Sequence, residues 1–161
     1  MTHRVGIGFD SHRLVEGRKL LLGGVQISYS KGLQGHSDAD VLFHALTDAL
    51  LGAAGLGDIG MHFPDSDPQW KDASSKIFVQ KTMENLRQRH WKVENVDLLL
   101  IAQEPRLAPY RSQIISNLST LLEIPISAIN LKATTTDHMG FIGRGEGIAA
   151  QAVVLLQKHE S

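Results

Sequence analysis

Hydrophobic and small or polar positions alternate over residues 4–10. Val5, Ile7 and Phe9 fall on one side, and Gly6, Gly8 and Asp10 on the other. A period of two predicts a strand. Its glycine side is bare, so a second backbone or a ligand is expected to come close there. Residues 19–22 and 25–28 flank Gly23-Gly24 and read as a short hairpin. From Ser37 or Asp38 the period changes to that of a helix running to about Ala54. Its apolar stripe is Val41, Leu42, Ala45, Leu46, Ala49, Leu50 and Ala53, and Gly55 and Gly57 stop it. The acids and prolines of residues 58–72 predict a loop. Ser74 or Ser75 opens a second helix to about His90, with Ile77, Phe78, Lys81 and Leu86 near one face.

Residues 96–102 are apolar except for Asp97, the pattern of a strand covered on both faces. Pro109 suits the first turn of a third helix to about Leu122. Residues 129–134 alternate again. A last strand over residues 148–156 is apolar on both faces, including Ala149, Val153 and Leu155, so one face is expected to cover a subunit interface. Strands and helices interleave with no repeat and no linker, which predicts one α/β domain over residues 1–161.

Composition narrows the chemistry. With 16 Lys+Arg against 17 Asp+Glu, nothing favours coating nucleic acid or a polybasic membrane patch. No apolar stretch reaches the ~20 residues of a membrane span. The N-terminus runs into a strand without a cleavage signal, so a cytoplasmic location is expected. The chain has no cysteine, so any transition metal must sit on histidine and carboxylate ligands.

Asp10-Ser11-His12 offers two ligands at i and i+2, both on the glycine side if the strand continues. Asp40, His44 and Asp48 recur every four residues along the helix, opposite its apolar stripe. Each alone reads as a solvated polar residue. Together Asp10, His12 and His44 make a set that zinc accepts, with the fourth tetrahedral position open. In His36-Ser37-Asp38-Ala39-Asp40, the cap is assigned to Asp38, and His36 with the helix-start N–H groups offers a phosphate seat. Thr134-Thr135-Thr136-Asp137 and the glycine-rich segment from Gly140 to Gly147 fit either a plain turn or phosphate plus magnesium. Residues 102–107 fit a plain strand-to-helix loop, or a backbone that reads a base edge. No Walker lysine loop is present, and Gly6-Ile7-Gly8 lacks the rest of a dinucleotide fingerprint.

Taken in order, Gly8-Phe9-Asp10-Ser11-His12, Leu22-Gly23-Gly24-Val25, Lys31-Gly32-Leu33, His36-Ser37-Asp38-Ala39-Asp40, the stretch from His44 to Gly52, Gly57-Asp58-Ile59-Gly60, Phe63-Pro64-Asp65, Lys132-Ala133-Thr134-Thr135-Thr136 and Gly143-Arg144-Gly145-Glu146-Gly147 span nearly the whole chain. In that order they resemble the 2-C-methyl-D-erythritol 2,4-cyclodiphosphate synthase family. The resemblance implies a mixed sheet with helices on one side and a homotrimer with active sites between neighbours. It implies a lyase of the non-mevalonate isoprenoid pathway. In its reaction the 2-phosphate of 4-diphosphocytidyl-2-C-methyl-D-erythritol 2-phosphate attacks the β-phosphorus, releasing CMP and closing a cyclic diphosphate.

The resemblance also implies roles at matching positions. Asp10, His12 and His44 would bind zinc, and Asp137 magnesium or manganese. Asp58 would hold erythritol hydroxyls, with Gly60, Phe63 and Asp65 beside it and His36 and Ser37 on the phosphate side. Thr134 and Thr135 would meet the diphosphate, and backbone near Ala102, Pro105 and Leu107 the cytosine. Phe141 and Arg144 would face ligand, Arg144 near a trimer axis that can take an isoprenoid diphosphate. The family carries Glu where this chain has Asp137, and Lys-Leu where it has His138-Met139. Two alternatives share the same residues: a zinc-dependent phosphoesterase, and a non-catalytic trimer that binds isoprenoid diphosphates.

Overall fold

The computed structural model describes residues 1–158; the expected domain over residues 1–161 runs past that range. Its strands are β1 (Thr2–Glu16), β2 (Leu20–Leu22), β3 (Val25–Ile27), β4 (Lys31–Leu33), β5 (Trp91–Ile101), β6 (Ile129–Thr134) and β7 (Gly147–Lys158). Its helices are α1 (Val41–Ala54), α2 (Ile59–His62), α3 (Lys76–Gln88), α4 (Arg111–Leu122) and α5 (Gly140–Gly143). A mixed sheet has the order β4-β1-β7-β5-β6, with β5 and β6 parallel and the other neighbours antiparallel. The β2–β3 hairpin stands apart, as predicted.

β1 sets the architecture. Gly6 and Gly8 lie under α1 so closely that a Cβ at Gly6 would sit 2.0 Å from the carbonyl oxygen of Ala49, and one at Gly8 1.9 Å from that of Ala45. The bare side of the strand is therefore filled by a helix backbone. Across the sheet Gly6 pairs with Val154 and Gly8 with Ala152, and Val154 and Ala152 are fully buried. Leu42, Leu46 and Leu50 of α1 are fully buried in a core that also takes Val79 and Leu86 of α3, Ile114 and Leu118 of α4, and Leu98 and Leu100 of β5. Each such leucine contributes roughly 1.5–3 kcal/mol by leaving water.

The opposite face is open. Val5, Ile7 and Phe9 are 69%, 62% and 58% exposed, and Val153, paired with Ile7, is 40% exposed. Within the chain β5 is covered on one face only: Val96, Leu98 and Leu100 are buried, while Leu99 and Ile101 are half-buried. Apart from Asp97, which pairs with Lys132, both faces of the run are apolar, and among the described residues only one meets the core.

Several local expectations change. β1 is longer than residues 4–10, because β7 pairs with it from Thr2 to Arg13. The N-cap of α1 is Asp40, whose Oδ1 accepts the N–H of Phe43 at 3.2 Å, not Asp38. Asp40 and His44 lie off the apolar stripe, yet the ridge is not wet. Asp40 is fully buried, clamping the Gly23 and Gly24 N–H groups at 2.9 and 2.8 Å. Asp48 accepts the N–H of Ile59 at 3.0 Å. The expected loop over residues 58–72 contains α2, capped by Asp58, and a 3-10 turn at Pro68–Trp70. The buried face of α3 is Phe78, Val79, Thr82, Met83 and Leu86, so Lys81 leaves the predicted stripe and Ile77 is only half-buried. Among the described residues, no helix is long and apolar enough to cross a membrane.

Candidate active site

β1 carries Asp10 and His12 on its helix-facing side, and α1 brings His44 over them. The three ligand atoms lie within 4.8 Å of one another. His12 Nε2 is 2.7 Å and His44 Nδ1 3.1 Å from Asp10 Oδ2, and the two ring nitrogens are 3.1 Å apart. The outer nitrogens are already engaged: His12 Nδ1 donates to the Gln34 carbonyl at 2.9 Å, and His44 Nε2 meets Ser75 Oγ at 2.8 Å. A carbonyl can only accept, so His12 Nδ1 carries a proton, and Nε2 is the nitrogen turned inward to Asp10.

Burial alone would raise the Asp10 carboxyl, but hydrogen bonds and charge from His12 and His44 outweigh it and hold the group at about 2. Burial likewise opposes charge on His12, and the Asp10 carboxylate overrides it and raises the imidazole. Inward-facing nitrogens around a carboxylate oxygen make a donor set for a cation, and an Asp/His/His set suits zinc with one position left open.

His12 and His44 form one wall of a cavity of about 450 Å³, together with His36, Ser37, Gly60, Phe63 and Asp65. Sequence reasoning missed the aromatic cluster that Phe63 joins in this lining. Phe63 stacks on Phe78 at 4.6 Å, and Trp70 meets both edge-on at 5.3 and 5.5 Å. His36 Nε2 is 2.9 Å from the Asp67 carbonyl. Arg18, also missed, donates to the carbonyls of Gly35 and Ser37 at 3.2 and 2.8 Å and pins the segment between β4 and α1. A basic residue in a β1–β2 turn carries no signal for that role.

A second cavity of about 300 Å³ is lined by Ala102, Pro105, Leu107, Thr134 and Thr135. The chain thus collects its expected substrate residues into two separate hollows. Asp10, Asp58, Asp137, Phe141 and Arg144 line neither. Asp58 is turned to capping, accepting the Met61 N–H at 3.0 Å. Asp137 is exposed with φ +50°, and its N–H donates to Thr135 Oγ1 at 3.3 Å. Arg144 forks onto Glu146 at 2.9 and 3.4 Å.

The model of the YgbB family matches residues 3–157 of this chain. The chain belongs to the YgbB family. It is 58% identical over 155 residues to the 2-C-methyl-D-erythritol 2,4-cyclodiphosphate synthase of Geobacillus kaustophilus, covering 96% of this chain and 98% of that one. Among solved structures it resembles a 2C-methyl-D-erythritol-2,4-cyclodiphosphate synthase with CDP bound. There the TM-score is 0.88 and the identity 42%, over 96% of this chain and 100% of the other. It also matches the bifunctional IspDF of Campylobacter jejuni, with TM-score 0.94 and 44% identity. That match takes in 99% of this chain and 43% of the longer enzyme. These likenesses run nearly the whole length of the chain.

Proposed function

We propose that this chain converts 4-diphosphocytidyl-2-C-methyl-D-erythritol 2-phosphate to 2-C-methyl-D-erythritol 2,4-cyclodiphosphate and CMP, acting in the cytoplasm as a homotrimer. The observation that carries the proposal is the meeting of Asp10, His12 and His44, both histidines in a cavity wall, in a chain this similar to synthases of that name. Asp10, His12 and His44 would hold zinc. Asp137, an exposed carboxylate, offers the hard oxygen that magnesium or manganese takes. The bound cations supply positive charge that lets one phosphate approach another.

The chain's own residues do the rest by placement. An oxygen of the 2-phosphate forms a bond to the β-phosphorus, the bond from that phosphorus to the bridging oxygen breaks, and CMP leaves with the electron pair. The nucleophile is already anionic near neutral pH, so the site needs orientation more than a strong base. His36 and Ser37 line the first cavity and would take the phosphate; Gly60, Phe63 and Asp65 line it too and would take the erythritol. The Phe63–Trp70–Phe78 wall excludes water from one flank. That wall favours phosphate over water as the nucleophile, and so a synthase over a phosphoesterase.

Ala102, Pro105 and Leu107 line the second cavity and would take cytosine, with Thr134 and Thr135 on the diphosphate. Two separate hollows on one chain, and a sheet face with Val5, Ile7 and Phe9 exposed, support a site completed by a neighbour. Phe141 and the Arg144–Glu146 pair would then lie near the trimer axis, where an isoprenoid diphosphate can bind.

The test is to incubate the metal-replete protein with substrate and follow products by phosphorus NMR. CMP and a cyclic diphosphate in equal amounts are expected. Inorganic phosphate as the product would assign a phosphoesterase, and ligand binding without turnover would leave only the diphosphate-binding role.

A further inference from the structure

The hydrogen-bond inventory around His44 leads to a carboxylate beyond the ligand set. Asp38 sits between the starts of two helices. Its Oδ1 accepts the Asp40 N–H at 3.1 Å, its Oδ2 accepts the Ser75 N–H at 3.1 Å, and its Oδ1 also accepts the Ser75 hydroxyl. Ser75 is fully buried, so no water competes for that hydroxyl. A carboxylate has no proton to give, so the single Ser75 hydroxyl proton points to Asp38. The lone pairs left on Ser75 Oγ can then only accept, and the group facing them is His44 Nε2 at 2.8 Å. His44 Nε2 must carry a proton, so in the neutral ring Nδ1 is the bare nitrogen, turned toward Asp10 and His12.

Ser37 Oγ stands 3.2 Å from the same nitrogen and 3.3 Å from Ser75 Oγ, but it already accepts the Ala39 N–H at 3.2 Å. It is the weaker partner of the two.

We infer that Asp38 and Ser75 are positioning residues that act in series, fixing the tautomer and ring orientation of His44 so that Nδ1 faces the cluster. The inference rests on the reading of Asp10, His12 and His44 as zinc ligands. It assigns a use to a carboxylate that sequence reasoning took for the helix cap. It also ties the ligand on α1 to the first residue before α3, and so to the segment that carries Trp70. Outer partners of metal-bound histidines typically change metal affinity by 10–100-fold when removed.

Zinc affinity of purified variants, measured by competition with a chromophoric chelator, tests this without relying on turnover. Ser75→Ala should bind zinc ~10–100-fold more weakly than wild type. Asp38→Asn should fall in the same direction, and the double variant should be no weaker than Ser75→Ala, because the two act as one chain. Ser37→Ala should lose less than Ser75→Ala. In nitrogen-15 NMR of the zinc-loaded protein, the His44 Nε2–H signal should be slow to exchange in wild type and broadened or lost in Ser75→Ala. Leu86→Ala, which loosens the core away from the cluster, is the control for mere destabilisation and should keep wild-type zinc affinity. If Leu86→Ala weakens zinc as much as Ser75→Ala does, the positioning role is overturned. It is also overturned if His44→Ala loses zinc while Ser75→Ala keeps it. If His44→Ala retains zinc, the ligand reading itself fails, a result distinct from the other two.

Discussion

Two sides of one strand divide the work of this molecule. On the helix side, Gly6 and Gly8 admit the α1 backbone, and two and four residues further on the same side bears Asp10 and His12. On the other side, Val5, Ile7 and Phe9 stand exposed in register with Leu155, Val153 and Gln151. The covered side uses its small residues to bring His44 down onto Asp10 and His12, while the open side holds apolar surface that nothing among the described residues covers. One alternation along β1 therefore underlies both the proposed metal cluster and the proposed assembly face, and each makes separate demands on substitution.

The largest effect is expected on the covered side. Gly8→Ala places a methyl group against the Ala45 carbonyl, where only backbone could yield. It should destabilise the fold by more than ~4 kcal/mol, or prevent soluble expression. A Gly8→Ala protein with an unchanged urea midpoint would break the account of how α1 reaches β1. On the open side, Ile7→Glu should leave the single chain folded, with stability changed by no more than about 0.5 kcal/mol. It should dissociate the assembly to monomers in light scattering and remove activity with it. An intact trimer in that variant would move the interface elsewhere.

Two acids, Asp40 buried and Asp10 half-buried, sharpen the same contrast. Asp40 is clamped by main-chain N–H groups. Burial, opposed by the Gly24 N–H and reinforced by the charge of Asp38, lifts it to about 6. Its folded value lies above the unfolded one, so its contribution to stability is full below about pH 3.8 and is lost as pH rises through about 6. Asp10, held at about 2, behaves oppositely: its contribution is present above about pH 3.8 and is lost as pH falls through 2.

In metal-free protein, Asp40→Asn should flatten the decline between pH 4 and 6.5. It should also cost about 2 kcal/mol, because an amide N–H then faces the Gly24 N–H. Thermal melts across that range check both. The smallest effect is expected at Asp137→Asn: a several-fold higher magnesium requirement for half-maximal activity, with zinc content unchanged. Asp137→Glu should be tolerated. A magnesium titration of the Asn variant that overlays wild type would assign Asp137 to the turn before Gly140.

Much of this was legible in the residues, for physical reasons that differ by region. The alternation of β1 and the stripe of α1 announce themselves because each has one apolar face to bury. The meeting of Asp10, His12 and His44 was readable because the glycine side of β1 predicted a close approach. The cap was misread because Asp38 and Asp40 are equally good capping residues in sequence. Only the Gly23-Gly24 turn, folding back onto Asp40, decides between them. The buried face of α3 was misread because Phe78, Val79 and Met83 answer to the Phe63–Trp70 wall and the core together, and no single stripe describes both. Ser75 reads in sequence only as a helix start and Arg18 as nothing in particular, since their partners lie 31 and 17 or more residues away.

Native mass spectrometry of the purified, zinc-replete protein tests most directly whether one strand serves both a metal cluster and an assembly face. The account predicts a single dominant species of three chains, each of 17.7 kDa, carrying three zinc ions. Loss of the zinc should follow His44→Ala alone, and loss of the assembly Ile7→Glu alone. A stable monomer, or a trimer that keeps all its zinc without His44, would contradict it.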